Sequence, residues 1–394
     1  MSEMPLRILM IAPTPYFSDR GCHVRIYEEA KALVARGHQV RVVAYGLGRD
    51  LAPVPVDRIP PLPWYRKQEA GPSWHKPYLD LLLFFKAFSV ARWFKPHLVH
   101  GHLHEGALVG WAVARPLGVP LLFDYQGSLS GESLNHGFFR QGGILCRLFR
   151  GIESRINRLA NRIITSSTPG MQELTEQWQL PPERVTVLAD GVDLAETFQY
   201  EQAKARQQLG LSDESPVIVY LGLLNQYQGI ELLLRAAQLM LRQEVRFQLL
   251  IMGYPEAQYR SLAATLQINA VVTFTGQIDY RRAPQLLASG DLAVSPKVSA
   301  TEANGKLLNY MACALPVVVF DTPVNRELLG DDGWYAAYGD AEDLARCLTA
   351  ALAERSSLTE RGARLRVRAE ALFSWQQRAR ELEKIYRQLL AEDP

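Results

Sequence analysis

The chain has 394 residues, 48% of them hydrophobic and 21% charged, with a net charge of only +2. That length exceeds one comfortable core and predicts two domains of ordinary size, and the composition excludes a disordered or low-complexity chain. The four cysteines (Cys22, Cys146, Cys313, Cys347) form no close pairs, so a metal finger or disulfide framework is not expected and reduced thiols are. Charge is unevenly placed. Residues 1–162 hold 21 Lys and Arg against 12 Asp and Glu (+9), whereas residues 163–394 hold 22 against 29 (−7). Either the first half meets an anionic partner, or the two halves simply have different solvated faces.

From the N-terminus, "RILMIAP" reads as a buried parallel strand and is too short for a secretory signal. A loop "TPYFSDRG" leads into a helix with Ile26, Ala30, Leu33 and Val34 on one face. Gly37 stops it before the strand "VRVVAY", which completes a βαβ unit. The longest apolar region, "PYLDLLLFFKAFSVARWF", is interrupted by Asp80, Lys86 and Arg92, so it is not expected to span a bilayer. Strands follow at "HLVHG", "VPLLFDY", "RIITS" and "RVTVLAD". The alternation restarts after residue 195 with "PVIVYLG" and a helix "GIELLLRAAQLML", whose buried face should hold Ile230, Leu233, Leu234, Ala237 and Leu241. "FQLLIMG", "VVTFTG", "DLAVSP" and "LPVVVFD" are further strands, and "FSWQQRARELEKIYRQLLAEDP" is an amphipathic helix expected to cross back to the first domain. The expected fold is α/β, with two doubly wound Rossmann-like domains facing a central cleft. Residues 1–192 plus 375–394 make one and 193–374 the other, hinged near "LADGVDLAETF". Ligands should bind at the C-terminal ends of the strands.

A dinucleotide oxidoreductase would need G-x-G-x-x-G after its first strand, and neither "IAPTPYFSDRG" nor "YLGLLNQYQG" supplies it; a P-loop is absent too. More informative is "DLAVSPKVSATEANGKLLNYMACALPVVVFDTPVNRELL", residues 291–329. Its loop carries Lys297, Thr301, Glu302 and Asn304 ahead of a helix that starts at "GKLLNYMACA". The amides of Gly305, Lys306 and Leu307 should be unpaired at that helix start and, with the Lys306 charge, offer an anion site. Glu302 stands close enough in sequence to bond sugar hydroxyls, which together describes a nucleotide-sugar pocket. Each residue also has a plain reading, Lys306 as a solvated helix lysine and Glu302 as a loop surface charge.

Over essentially its whole length the sequence resembles the family-four retaining glycosyltransferases of the GT-B fold. The resemblance rests on "RILMIAP" with Gly21 and Arg25, "RVTVLADGVD", "YLGLLNQYQGIELLLRAA", "VTFTGQIDY", and "KLLNYMACALPVV" followed by "DTPVNRELL". It implies transfer of a sugar from a nucleoside-diphosphate sugar to an acceptor hydroxyl with retained anomeric configuration and no required metal or other cofactor. Gly21 and Arg25 then fall on the acceptor side. The base would pack near Gly276 and the backbone of Gln277 and Ile278. The donor loop after the first strand of the second domain would include Gly222. Several positions depart from the family. Of two glutamates eight apart, Glu302 matches the first, while the second aligns with Asn309 or, by strict counting, Tyr310. The diphosphate-binding Arg and Lys fall on Leu223 and Gln228. Lys297 and Lys306, with the amides of residues 304–307, are the expected replacements, and the "YQG" and "SPK…K" forms look like a subgroup. The alternative is a sugar-nucleotide-binding pseudoenzyme or partner subunit without turnover. A nucleotide-sugar epimerase or phosphorylase fits the fold but not "KLLNYMA".

"VHGHLHEGA" places His100, His102 and His104 on one face if the strand continues through them. Three such residues are compatible with zinc, but no cysteine is near and the resemblance implies no metal. His104 and Glu105, at the strand's end, are the site candidates and His100 a packed strand residue. Gln126 stands where the family commonly has His. It can hydrogen-bond but not transfer a proton at neutral pH, so acid–base help would come from Asp124, Glu105 or His104, unless the leaving phosphate takes the acceptor's proton. Two basic, aromatic stretches, "PPLPWYRKQEAGPSWHKPYLDLLLFFKAFSVARWFK" and "GFFRQGGILCRLFRGIESRINR", suit either an anionic bilayer surface or core helices with snorkelling cations. The expected partners are thus a nucleotide-sugar donor and a glycan or lipid-linked acceptor, in polysaccharide or glycolipid biosynthesis. The expected location is the cytoplasm with peripheral contact at the inner face of the membrane. No nucleic-acid-binding module accompanies the basic face.

Overall fold

The computed structural model describes residues 4–18, 21–66, 73–131, 142–194, 200–299 and 302–392. Thr301, the C-terminal end of the hinge stretch and parts of both basic, aromatic stretches lie outside the described residues. The chain divides into two compact units: residues 1–189 with 301–303 and 375–394, and residues 190–300 with 304–374.

The first unit starts with β1 (Arg7–Ala12), α1 (Gly21–Ala35) and β2 (Gln39–Ala44). β3 (Val56–Arg58), α2 (Lys76–Phe94), β4 (Leu98–His102), α3 (Leu103–Leu117) and β5 (Leu121–Tyr125) follow. α4 (Ile144–Ile156), β6 (Arg162–Thr165), α5 (Thr168–Gln172) and β7 (Val185–Val187) complete its main run. Its seven strands are parallel, in the order β3-β2-β1-β4-β5-β6-β7. Ile8 through Ala12 are all buried, the signature of a strand covered on both faces. On α1, Ile26, Ala30 and Leu33 face inward, and the chain leaves through Gly37 at φ 91.

The second unit contains α6 (Gln202–Leu209), β8 (Val217–Leu221), α7 (Ile230–Arg242), β9 (Gln248–Met252) and α8 (Ala257–Thr265). β10 (Val272–Gly276), α9 (Ala283–Leu287), β11 (Leu292–Ser295), α10 (Lys306–Ala312) and β12 (Val317–Phe320) come next. α11 (Pro323–Leu329), β13 (Trp334–Ala336), α12 (Ala341–Ala353) and α13 (Arg355–Leu372) close it. This sheet is parallel as well, in the order β10-β9-β8-β11-β12-β13. α7 buries Ile230, Leu233, Leu234, Ala237 and Met240; Leu241, expected on that face, is 37% exposed. The buried arc also takes in Ala236, which moves its centre toward Met240 and away from Leu241.

The last helix, α14 (Trp375–Glu392), belongs to the first unit. It packs on α1 and ties itself down with charge: Glu383 accepts from Arg36 Nε at 2.8 Å and lies 3.4 Å from His38 Nε2. Tyr386 is fully buried and its hydroxyl lies 2.8 Å from His100 Nδ1.

In both sheets the winding reverses beside the first strand of the unit, between β1 and β4 and between β8 and β11. Connections leave such a pair in opposite directions, which opens a crevice at the C-terminal ends. In the second unit one close approach controls that crevice: Gly229 has φ +72, and an added Cβ there would sit 1.9 Å from the Pro296 carbonyl oxygen. Gly229→Ala should therefore lower stability by more than the ~1–3 kcal/mol of backbone strain alone, read as a shifted urea midpoint with an unchanged m-value.

Candidate active site

Two segments line the reversal point of the second sheet, residues 222–229 after β8 and residues 296–299 after β11. They are packed as one piece. Val298 N donates to Tyr227 O at 2.9 Å, and Lys297 Nζ lies 5.2 Å from the centre of the Tyr227 ring. Gly229 admits Pro296, as described above. The tyrosine and glycine of "YQG" therefore hold the proline and lysine of "SPK" in place.

Lys306 opens α10, and its side chain runs back over Gly222, where a Cβ would lie 3.2 Å from Lys306 Nζ. Its ammonium donates to Tyr220 OH at 3.0 Å, makes a short contact to Gln228 Oε1 and lies 4.4 Å from the Tyr220 ring centre. Burial first, and then the Lys297 charge, push the Lys306 amine well below its ordinary value of 10.5. Both of these acceptors are neutral. Two amines thus share one crevice, and the half-buried one is held by uncharged oxygens, an arrangement an anionic ligand would relieve.

The structure thus gathers Lys297, Lys306, Gly222 and Gln228. Other expected donor residues differ. Asn304 is buried, with its side chain bonded to Ser295 Oγ at 3.2 Å and Asn325 Oδ1 at 2.9 Å, so it fixes the loop. Leu307 is core, and its amide, expected free, donates to Asn304 O at 2.9 Å because the first turn closes tightly. Gly305 precedes α10 with Asp190 Oδ2 3.1 Å from where its Cβ would lie. Of the two alignments for the second family glutamate, Tyr310 is unsuited: fully buried, its hydroxyl accepts from Leu221 N at 2.8 Å and lies 3.3 Å from Val294 O. Asn309 is half-buried. Gly276, at φ +73, sits at a bulge between β10 and β9, and Ile278 just beyond is half-buried.

In the first unit the reversal point is organised by Asp124, at the end of β5. Its Oδ2 receives Arg25 Nε at 3.0 Å and Gln126 Nε2 at 2.7 Å, and His102 Nδ1 lies 2.9 Å away. Burial alone would raise this carboxyl; the Arg25 guanidinium and the His102 hydrogen bond outweigh it and hold it far below the usual carboxylate range. An acid so strong cannot accept a proton at neutral pH, so Asp124 positions Gln126 and Arg25 and is not the expected acid–base group. Arg25 also reaches Leu188 O at 3.2 Å and Glu29 Oε1 at 3.2 Å, and is itself buried. Gly21 starts α1 and is exposed, and a Cβ added there would meet nothing within 4 Å.

The histidine stretch divides differently from expectation. β4 ends at His102, and Leu103, at φ 61, turns the chain into α3, so His104 lies on a helix and not on the strand face. It is 4% exposed, packs against Phe123 and Tyr125, and sits 3.5 Å from Glu153 Oε1. Burial lowers its imidazole, so it is neither exposed nor charged. Glu105 is an ion-pair partner of Lys76, which outweighs burial and lowers its carboxyl. His100 is packed as expected, and His102 is the member that meets Asp124. Glu29, His100, His102 and Asp124 each bring one ligating atom within 4.8 Å of the others. Glu29 could have been found from its place one helical turn beyond Arg25. Tyr220 and Tyr227, which cradle the amines, carried no signal beyond their place in strand and turn.

Glu302 and Ala303 group with the first unit. Glu302 is half-buried, and a Cβ on Gly127 (φ +144) would lie 3.2 Å from its Cγ, next in sequence to Gln126. Its charge, after burial and Glu153, helps raise the Glu173 carboxyl to about 7.

Residues 20–191 match the family model described as glycosyl transferase 4-like domain, and residues 215–354 the model described as glycosyl transferases group 1. The chain belongs to this glycosyltransferase family. A D-inositol 3-phosphate glycosyltransferase of Thermobispora bispora is 28% identical, covering 94% of this chain and 90% of its own. One from Geodermatophilus obscurus is 26% identical over 93% and 84%. Among solved structures, sucrose-phosphate synthase from Thermosynechococcus elongatus superposes with a TM-score of 0.82 at 20% identity, covering 98% of this chain and 100% of that one. Anabaena Alr3699/HepE, solved with UDP and glucose, gives 0.77 at 18% identity over 96% and 99%. The fold is GT-B.

The depressed Lys306 amine has a thermodynamic signature. Where the folded value lies below 10.5, the folded state releases its proton before the unfolded state does, so stability rises with pH between those two values. Lys306→Met should lose that rise and, near neutral pH, unfold at an equal or higher urea concentration than the parent. Urea titrations near pH 7 and about pH 9 decide it.

Proposed function

We propose that the protein is a retaining glycosyltransferase that moves a sugar from a nucleoside-diphosphate sugar to a hydroxyl of a glycan or lipid-linked acceptor, without a catalytic metal. The carrying observation is the pair of amines, Lys297 and Lys306, at the reversal point of the second sheet, with Lys306 held by Tyr220 and Gln228. These take the place of the family's Arg and Lys, which fall on Leu223 and Gln228. When the diphosphate arrives, Lys306 gains an anionic partner and its proton affinity recovers, so charge is supplied where the leaving group develops it. The acceptor hydroxyl attacks the anomeric carbon from the side the diphosphate leaves, and a departing phosphate oxygen takes its proton. That path asks no proton transfer of Gln126 or of the ionised Asp124. Glu302 bonds the donor sugar, Asn309 the ribose, and the backbone near Gly276 and Ile278 the base.

Calorimetry with UDP, GDP and ADP in two buffers of different ionisation enthalpy should show one preferred nucleotide, bound with proton uptake. Lys306→Met should remove the uptake and weaken binding by at least ~10-fold, the lower end of a charge-assisted contact. A folded protein that binds none of the three overturns the donor reading, binding without turnover favours a pseudoenzyme, and an inverted product by NMR overturns retention.

A membrane-presented acceptor is supported by α4. Its outward face carries Ile144, Leu145, Leu148 and Ile152, 38–83% exposed, beside the exposed Arg147 and Arg155. None of the described helices is long and apolar enough to cross a membrane, so the contact we propose is peripheral, on an anionic inner leaflet. Flotation with anionic vesicles at low salt should carry the protein upward, and Ile144→Asp with Leu148→Asp should abolish this. Equal flotation of the variant, or none of the parent, removes the membrane from the reading.

A further inference from the structure

On the transfer reading proposed above, on which this assignment rests, we infer that Glu153 of α4 is a positioning residue. Its buried carboxylate seats the loop that follows β5, where Gln126 stands and against which Glu302 lies. α4 turns Ile152 outward and Glu153 inward, where it has no exposure. A carboxylate is rarely buried so fully unless partners hold it. Here the partners are backbone amides: Leu129 N donates to Glu153 Oε1 and Ser130 N to Oε2, each at 2.9 Å. These two residues open a helical turn over 129–131, whose third amide, Gly131 N, donates to Ser128 Oγ at 3.0 Å. Side chains thus take the amides that a helix start leaves without partners.

Two observations tie this seat to the site as well as to stability. The first is what the loop carries. Gln126 Nε2 donates to Asp124 Oδ2 at 2.7 Å. Gly127, at φ +144, comes so close to Glu302 that a Cβ there would lie 3.2 Å from Glu302 Cγ and 3.4 Å from its Oε1. The amides that Glu153 holds begin two residues beyond Gly127, so a shift of the loop moves the backbone on which Glu302 rests. The second is charge. Glu153 and Glu302 both act on Glu173: its carboxyl is raised to about 7 by burial, then Glu153 and also Glu302, against the opposing effects of Tyr125 and Arg150. The clamp and the sugar-facing carboxylate therefore border one group from two sides. His104 Nε2, 3.5 Å from Glu153 Oε1, is driven toward its neutral form by burial, so amide dipoles and not a full cation balance the Glu153 charge. That balance requires a carboxylate, because only an ionised acid accepts through both oxygens, whereas a glutamine in its place turns an NH2 toward one of the two amides.

The test compares full-length parent, Glu153→Gln and Ile156→Ala, the last a buried apolar position on the same helix. Three quantities are read: hydrogen exchange over residues 126–131, affinity for the preferred nucleotide, and nucleotide release with water as acceptor. The donor is UDP-glucose, GDP-mannose or ADP-glucose, whichever the parent consumes. In Glu153→Gln the Leu129 and Ser130 amides should exchange at least ~10-fold faster, as expected when a charge-assisted bond is lost. Nucleotide affinity and donor KM should be unchanged, because the two amines lie in the second unit, while kcat falls ~100-fold, the size of loss that a misplaced group causes. Ile156→Ala should lower Tm and spare kcat. Unchanged exchange or unchanged kcat in Glu153→Gln overturns the assignment, and so does an equal fall of kcat in Ile156→Ala, which would make the effect one of stability. If Glu153→Gln does not fold, Glu153→Asp, charged but one methylene short of the amides, is read with the same expectations. A parent that binds nucleotide without turnover overturns the transfer reading and this assignment with it. A parent that turns over beside an unaltered variant overturns this assignment alone.

Discussion

The C-terminal edge of the first sheet is arranged around one buried carboxylate. Asp124 sits at the end of β5 with no exposure, and Arg25, His102 and Gln126 converge on its Oδ2. Through Arg25 it holds α1 and the carbonyl of Leu188, and through His102 it holds the end of β4. Removing either member of a buried ion pair strands the other charge and costs about 3–5 kcal/mol. The elements that present Gly21, Gln126 and the start of α3 are therefore fixed by a carboxylate held far below its usual range.

The second sheet solves the corresponding problem with the opposite sign. At its reversal point Lys306 lies over the Tyr220 ring with hydroxyl and amide oxygens as acceptors, and Lys297 lies over the Tyr227 ring. On the function proposed above, the lowered Lys306 amine would regain its proton as a diphosphate arrives, so stability withheld in the empty state would return as affinity for the anion. The paired variants "YQG" and "SPK" make physical sense together: the ring of Tyr227 carries Lys297, and Gly229 makes room for Pro296. Changing one without the other would move the amine.

The fold was legible because its signals are regional. Continuous apolar runs such as "RILMIAP" and "PVIVYLG", each followed by a helical period, specify buried parallel strands and their crossovers, and errors there amount to single positions such as Leu241. Short strands such as Val56–Arg58 and Trp334–Ala336 carried too few residues for a period to show. The site was legible at the level of its loops, since Lys297, Lys306 and Gln228 do converge. It failed where direction depended on one backbone angle. The period of two through "HGHLH" holds only while the strand lasts, and Leu103 ends it, sending His104 into the core and leaving His102 to face Asp124. Asn304 looked like a binding residue because polar loop residues usually are, yet its amide closes the loop on Ser295 and Asn325.

The placement of α14 bears on the order of synthesis. Its Tyr386 closes the pocket over His100, and its Glu383 neutralises Arg36 beside His38. These groups belong to a sheet whose last strand ends at Val187, some two hundred residues earlier in the chain. As the ribosome delivers the chain from its N-terminus, the first sheet emerges early with a polar cluster lacking one wall, while the second unit emerges with its own segments in succession, broken only by residues 301–303 of the first. The unit made first is thus the unit finished last, since its buried His100 gains the Tyr386 partner only once α14 has been made.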